Sequence, residues 1–298
     1  ANWNGIPVKM QGMRPEVSIH PDVASRPQTT GMDVTNHLMK IVNRTFLFVS
    51  DIVSEMLSVA PLRSIISGPT NKPVGKHSLS STGDNVQQVL LAMDEEAFNK
   101  VSGLLEKLTR GKYKIIKLEF RSDHANMGDF SQVALLDLTN GDQIPVLFQD
   151  AGVGISQVLP ILVAILRSPL LPPKPTRFGS RQRGLSRLTF IEQPELHLHP
   201  EMQADLADLL IDAVKPGKKR DGNLIRHSQI LVETHSESMI MRIQKRIREG
   251  KLDPSDVAII GVDKFAGGGS LAQEYRISSE GQHVDELPRD FSTLRLNE

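Results

Sequence analysis

From residue 86 onward the spacing of apolar positions changes several times, and each change predicts an element. "VQQVLLAMDEEAFNKVSGLLEKLTR" repeats its apolar residues at intervals of three and four, the spacing of one helix face, with a break near Asp94. "YKIIKLEFRS" and "DFSQVALLDLTNGDQIPVLFQD" alternate instead, as strands do, and "TNGD" supplies a hairpin turn between the second and third apolar runs. In "AGVGISQVLPILVAILRS" two glycines precede Ser156, which is expected to cap a helix running to about Arg167 with Pro160 in its first turn. "LTFI" reads as a short buried strand. Pro200 then opens the helix "PEMQADLADLLIDAV", with Glu201 in its first turn. "SQILVET" is a strand, "SESMIMRIQKRIREG" an amphipathic helix stopped by Gly250, "DVAIIGV" a strand, and "LAQEYRISSEG" one more.

From Ser156 the order is therefore helix, strand, helix, strand, helix, strand. That order predicts an α/β fold, a mostly parallel sheet flanked by helices. The N-terminal part is less regular. The first 35 residues hold recurrent proline, glycine and polar residues and read as strand and loop. Val34 to about Ser58 has mixed three and four spacings and is expected to be helical, weakened by the aromatic and β-branched residues near Phe46–Val49. The expected divisions are 1–57, a loop-rich and helical segment that could belong to an inserted arm or lid; 58–149, a connecting helical and β segment; and 150–298, which carries the chemistry.

Composition narrows the classes. The 298 residues suffice for one large domain or two small ones. Thirty-five basic residues balance thirty-five acidic ones, so bulk charge does not point to nucleic acid, although a local basic patch stays open. The absence of cysteine removes disulfides and thiolate metal sites and fits a reducing, cytoplasmic setting. The longest apolar run, "VLPILVAIL", is half of what a membrane span needs. The chain opens on Ala, which fits a processed start or, as preferred here, a piece of a longer protein.

The chemistry gathers in "TFIEQPELHLHPE". One predicted strand ends in Glu192, Gln193, Pro194 and Glu195, and the next ends in Glu233, Thr234, His235 and Ser236. If the two strands are parallel neighbours, these groups meet at one sheet edge, where open α/β sheets hold ligands. A carboxylate there can hold Mg²⁺ through water, and a histidine can position water or sense a phosphate. A single glutamate after a strand is more often a cap or an ion-pair partner. The joint pattern argues for more.

At these residues the chain resembles the second half of an ATP-binding-cassette ATPase of the SMC-like and recombination-protein-F-like branch. It is closer still to bacterial ATPases related to the overcoming-lysogenization-defect proteins, many found in phage defence. "LTFIEQPELHLHP" resembles a Walker B strand with its D-loop, "ILVETHSE" a switch-histidine strand, and "AGVGISQVLP" a variant signature motif. "VAPLRSI" resembles an upstream Pro-Leu-Arg segment, and "SEGQHVDELPRDF" the tail of one subgroup. The resemblance implies a P-loop NTPase fold of cassette type, acting on ATP and Mg²⁺. Glu192 would hold the Mg²⁺ shell. Gln193 stands where the cassette has its catalytic glutamate, and a Gln can orient water but cannot act as a base. Glu195 is left as the candidate base, unless hydrolysis is slow. His235 would lie near the γ-phosphate. Ser156 and Gln157, with the backbone of Gly152 and Gly154, would bind the γ-phosphate of a nucleotide held by the other subunit, as a helix N-terminus can. His197 and His199 would face that subunit as structural or interface residues.

A phosphate-binding loop, GxxxxGK[ST], is missing from this picture. "GPTNKPVGKH" has the wrong spacing, a histidine after the lysine, and no strand before it. The nucleotide lobe is therefore incomplete here: the loop lies upstream, or on another chain, or the protein is degenerate. The expected function is a nucleotide-gated dimeric switch, a homodimer or higher oligomer built through an ATP sandwich. Its output goes to duplex DNA or to a nuclease or other effector. The alternative is a scaffold that binds ATP with little turnover and assembles an effector. A transporter-type cassette is a third class, disfavoured by the "HLHP" and "VETHSE" forms. The basic loops Arg177–Arg187 and Lys215–Arg220 could touch phosphate backbones or be solvated connectors.

Overall fold

The computed structural model describes residues 2–3, 6–11, 14–17, 38–46, 56–71, 78–120, 130–139, 143–170, 187–215, 228–264, 268–282 and 285. The chain divides into two units, Ala1–Ser54 and Glu55–Glu298. In the first, β1 (Asn2–Trp3), β2 (Ile6–Gln11) and β3 (Arg14–Val17) form an antiparallel meander, and residues 38–46 are helical.

In the second unit a parallel sheet carries β10 (Ser228–Glu233), β9 (Arg187–Glu192) and β4 (Leu57–Val59), in that order. β4 corrects the sequence expectation of a helix to Ser58. Its three residues pair with Thr189, Phe190 and Ile191, so tertiary pairing overrides a local helical spacing. A second, antiparallel sheet centres on β7 (Phe130–Asp137), which pairs β6 (Tyr113–Phe120), β5 (Thr70–Asn71) and β8 (Ile144–Val146). The expected hairpin turn at 140–142 lies outside the described residues, and the strands it joins pair in the register Asp137 to Ile144.

The helical break near Asp94 is real. α1 (Val86–Leu91) stops, and Asp94 caps α2 (Glu95–Leu108) by accepting the Ala97 amide at 2.7 Å. Phe98, Val101, Leu105 and Leu108 then turn one face inward. From that face Ser102 accepts the Ile115 amide at 2.9 Å and donates to its carbonyl, fastening α2 to β6.

α3 (Val153–Leu170) is the centre of the core, with every residue from Val158 to Ile165 bar Pro160 an almost fully buried hydrophobic. A helix apolar all round must be enclosed. It packs against α1, α2, β4, β9 and α4 (Pro200–Val214). Its start corrects the expectation at Ser156. The helix begins three residues earlier, after Gly152 at φ +89°, so Ser156 is helical and Pro160 lies beyond the first turn. The proline ring abuts Gly83, where an added Cβ would come within 2.4 Å of its Cγ.

α4 begins at Pro200 as expected. It packs on α5 (Glu237–Arg248), which Ser236 caps by accepting the Met239 amide and which Gly250 at φ +67° terminates. Between them Asp208 meets both Arg242 and Arg246, Asp205 meets Arg242, and Arg110 reaches from the end of α2 to Glu201 and Asp205. β11 (Ile259–Lys264) does not join the parallel sheet among the described residues. It forms an antiparallel hairpin with β12 (Ser270–Tyr275).

Candidate functional site

Strand register decides what meets at the carboxyl edge of the parallel sheet. Glu192 lies opposite Glu233, and Ile191 opposite Val59. The pairing continues one bond further, with the Gln193 amide donating to the Glu233 carbonyl at 2.8 Å. The segments after β4, β9 and β10 therefore leave the sheet side by side.

The segment after β9 is bent by two residues in the left-handed region, Gln193 at φ +40° and His197 at φ +61°. Non-glycine residues persist there only when their surroundings impose it. Part of that imposition comes from within, since Leu196 donates to the Gln193 carbonyl and Leu198 to that of Glu195. Part comes from Arg63, just past β4. Its Nη1 donates to the carbonyls of Ala60 at 3.0 Å and Glu192 at 3.1 Å, and its Nη2 to that of Gln193 at 3.1 Å. Arg63 is 4% exposed. Burial pushes its guanidinium down to about 10, against the pull of the Glu195 carboxylate, so it stays charged at neutral pH.

Glu195 turns towards β10. Its Oε1 accepts the His235 amide at 2.7 Å, while its buried Oε2 has no partner among the described residues. His235 is exposed. Thr234 accepts the Ser236 amide, and Ser236 donates its hydroxyl to Gln203 at 2.6 Å. Gln203 in turn donates to the Leu198 carbonyl at 2.9 Å, closing a ring of bonds from β10 through α4 to the bent segment. Glu192 is half-buried, and its carboxylate makes no hydrogen bond or ion pair among the described residues.

The α3 turn sits against the same segment. Gly154 packs so closely that an added Cβ would lie 2.5 Å from the His197 carbonyl oxygen. Gly152 and Val153 are exposed. Ser156 is fully buried and donates to the Phe148 carbonyl, and Gln157, 6% exposed, donates to the Arg63 carbonyl at 3.3 Å. In this conformation both side chains are committed inward, and the outward face of the turn carries Gly152 and the exposed Val153. His199 caps α4 through Nδ1, and His197 is exposed.

The structure thus brings Glu192, Gln193, Glu195 and His235 to one sheet edge, with the Gly152–Gln157 turn beside their loop. Sequence reasoning missed Gln203 and gave Arg63 no role. No group of three or more His, Asp or Glu among the described residues could hold a metal by itself. Glu192 offers one carboxylate without a partner among the described residues, and Mg²⁺ takes one or two carboxylates and completes its shell with water and phosphate. Of the two basic loops, residues 171–186 and 216–227 lie outside the described residues. No helix among the described residues is long and apolar enough to cross a membrane.

The sequence matches the AAA ATPase domain family over residues 51–240, more than half of the chain. It matches no curated protein. Among solved structures, an SMC head bound to the C-winged helix domain of ScpA superposes at a TM-score of 0.38, with 16% identity, over 61% of this chain and 43% of that one. A structure from work on ATP-driven dimerization and DNA-stimulated activation of SMC ATPases gives 0.37 and 16%, over 63% of this chain and 86% of that one. Both superpositions are loose, and the family match alone carries the assignment. The chain spans 43% of the length of the SMC head structure.

Proposed function

The chain belongs to the AAA ATPase domain family, and on that premise we propose that it supplies the acid-and-histidine half of an ATP-driven dimeric switch. The observation that carries the reading is the convergence of Glu192, Glu195 and His235 at the carboxyl edge of paired parallel strands. Glu192, half-buried and without a side-chain partner among the described residues, would hold Mg²⁺. Bound Mg²⁺ neutralises phosphate charge. Glu195 keeps one oxygen free of the bond that anchors it; that oxygen is buried here, and it serves as base once the loop shifts to admit water to it. His235 projects from the neighbouring strand end to orient the phosphate end of the nucleotide.

The phosphate-binding loop comes from outside these residues. β10 has a strand partner on one side only among the described residues, so a further parallel strand can add at its outer edge, beside His235. The backbone of the Gly152–Gly154 turn meets the nucleotide of a second subunit, as the signature resemblance implies. Opening and closing of that dimer passes to duplex DNA or to a nuclease-type effector, in the manner of defence ATPases of the overcoming-lysogenization-defect type.

Gln193 favours a second reading, a scaffold that binds ATP with little turnover. Its backbone is held by Arg63 and Glu233, and its amide cannot act as a base. Mg²⁺-ATP turnover by the complete gene product, with and without duplex DNA, separates the two. The switch reading expects turnover that falls about 100-fold or more in Glu192→Ala. Equal turnover in both proteins removes Glu192 from the site. ATP-dependent dimerisation without turnover in either selects the scaffold.

A further inference from the structure

We propose that Arg63 is a positioning residue that couples the α3 turn to the acid-bearing loop, so that what happens at Gln157 is felt at Glu192–Glu195. The inference rests on the function proposed above and adds to it a route of regulation. Arg63 stands between the two segments and bonds to both. Its own carbonyl receives Gln157 from α3, and its guanidinium spans the successive carbonyls of Glu192 and Gln193. The loop so held continues through Glu195 to the amide of His235. One bonded path therefore runs from α3 past three strand ends.

Two features set this junction apart from an ordinary buried ion. First, the side chain must be arginine: only a planar fork can give two nitrogens to carbonyls one residue apart, whereas an ammonium acts as a point charge. Second, the junction is unfinished. Among the described residues five buried side-chain atoms lack a partner, and three of them belong to Arg63 (Nε), Gln157 (Oε1) and Glu195 (Oε2). Buried polar groups are nearly always satisfied, and a finished structural staple would leave none. Three spare groups along one path can make new bonds when the turn or the loop shifts. In the proposed dimer the α3 turn faces one nucleotide and the acid loop another, so the path links the two sites.

The test uses the complete gene product with two variants. Arg63→Lys keeps the charge and removes the fork, and Gln157→Leu cuts the path at its far end. Each is expected to leave the KM for ATP within about twofold and to lower kcat about tenfold or more. The double variant should be no slower than the slower single one, as expected of residues acting in series. Effects that simply multiply, or a kcat per folded molecule equal to wild type, overturn the proposal. A readout without turnover guards against failure of the functional reading itself: Gln157→Leu should speed hydrogen exchange at the Leu196 and Leu198 amides, in a loop to which Gln157 makes no hydrogen bond. Unchanged protection there overturns the coupling even if the protein hydrolyses nothing. If wild type and Glu192→Ala turn over equally while protection does fall, the coupling stands and only the proposed function fails.

Discussion

The His235 amide and Glu195 Oε1 lie 2.7 Å apart, joining the ends of two strands that sequence separates by forty residues. The bond uses one carboxylate oxygen and leaves the other free, so structure and chemistry can be separated at a single side chain. Glu195→Gln keeps an acceptor for His235 and removes the base. It should unfold in urea within about 0.5 kcal/mol of wild type and lose about 100-fold or more in ATP turnover. Glu195→Ala should lose stability as well, by about 1–3 kcal/mol, since the loop then gives up its anchor. Full turnover in Glu195→Gln would assign the base elsewhere.

Two glycines predict opposite outcomes for the same substitution. Gly154→Ala drives a methyl to within 2.5 Å of the His197 carbonyl oxygen, a backbone atom that cannot swing aside. It should cost about 1–3 kcal/mol in urea unfolding. Gly103, exposed in α2, has nothing within 4 Å of its missing Cβ. There alanine should add about 0.5–1 kcal/mol by favouring the helix.

The acid cluster between α4 and α5 is a second test of packing. Asp208 serves both Arg242 and Arg246, all three being about one-fifth exposed or less. Asp208→Ala should cost about 1–3 kcal/mol because two partly buried guanidinium groups lose their shared partner. Thermal unfolding in low and high salt measures it, and the loss should survive high salt better than that of the exposed Lys100–Glu96 pair.

Acid sensitivity should show at Glu249. Lys251, and then Arg246, hold its carboxyl down to about 2, against an ordinary value of 4.5. A depressed carboxyl contributes stability above its unfolded value and loses it as pH falls through the folded one. Glu249→Gln should therefore be less stable than wild type at neutral pH, and the difference should close as pH falls from 4.5 to about 2, where wild type loses the contribution that the variant lacks. Carboxyl-carbon NMR should place the midpoint near 2.

The 298 residues by themselves contain no GxxxxGK[ST] segment. The isolated chain should show no Mg²⁺-ATP turnover. Turnover by the isolated chain, abolished in Glu192→Ala, would overturn this.

Much of this arrangement was legible because it depends on short-range signals. Pro200 with Glu201 marks the start of α4, Asp94 the start of α2, and an acid after each apolar run marks the two strand ends that align Glu192 with Glu233. The illegible parts depend on contacts distant in sequence. β4 is three residues long and exists only by pairing with β9. Arg63 reads as one more loop cation until its three carbonyl partners, two of them more than a hundred residues away, are known. The start of α3 was displaced because Ser156 is a good cap by type, yet Gly152 at φ +89° already breaks the chain and the serine hydroxyl is taken by Phe148.

The enclosure of α3 has a consequence for how such a chain can diverge. Its first turn touches the candidate site, and Pro160 a little further on is buried and wedged against Gly83. A lineage that enlarges Gly154 must also reshape the bend at His197, and one that enlarges Gly83 must also replace Pro160. Substitutions at these positions should enter history in pairs, leaving a record of joint drift where a surface loop would leave independent changes.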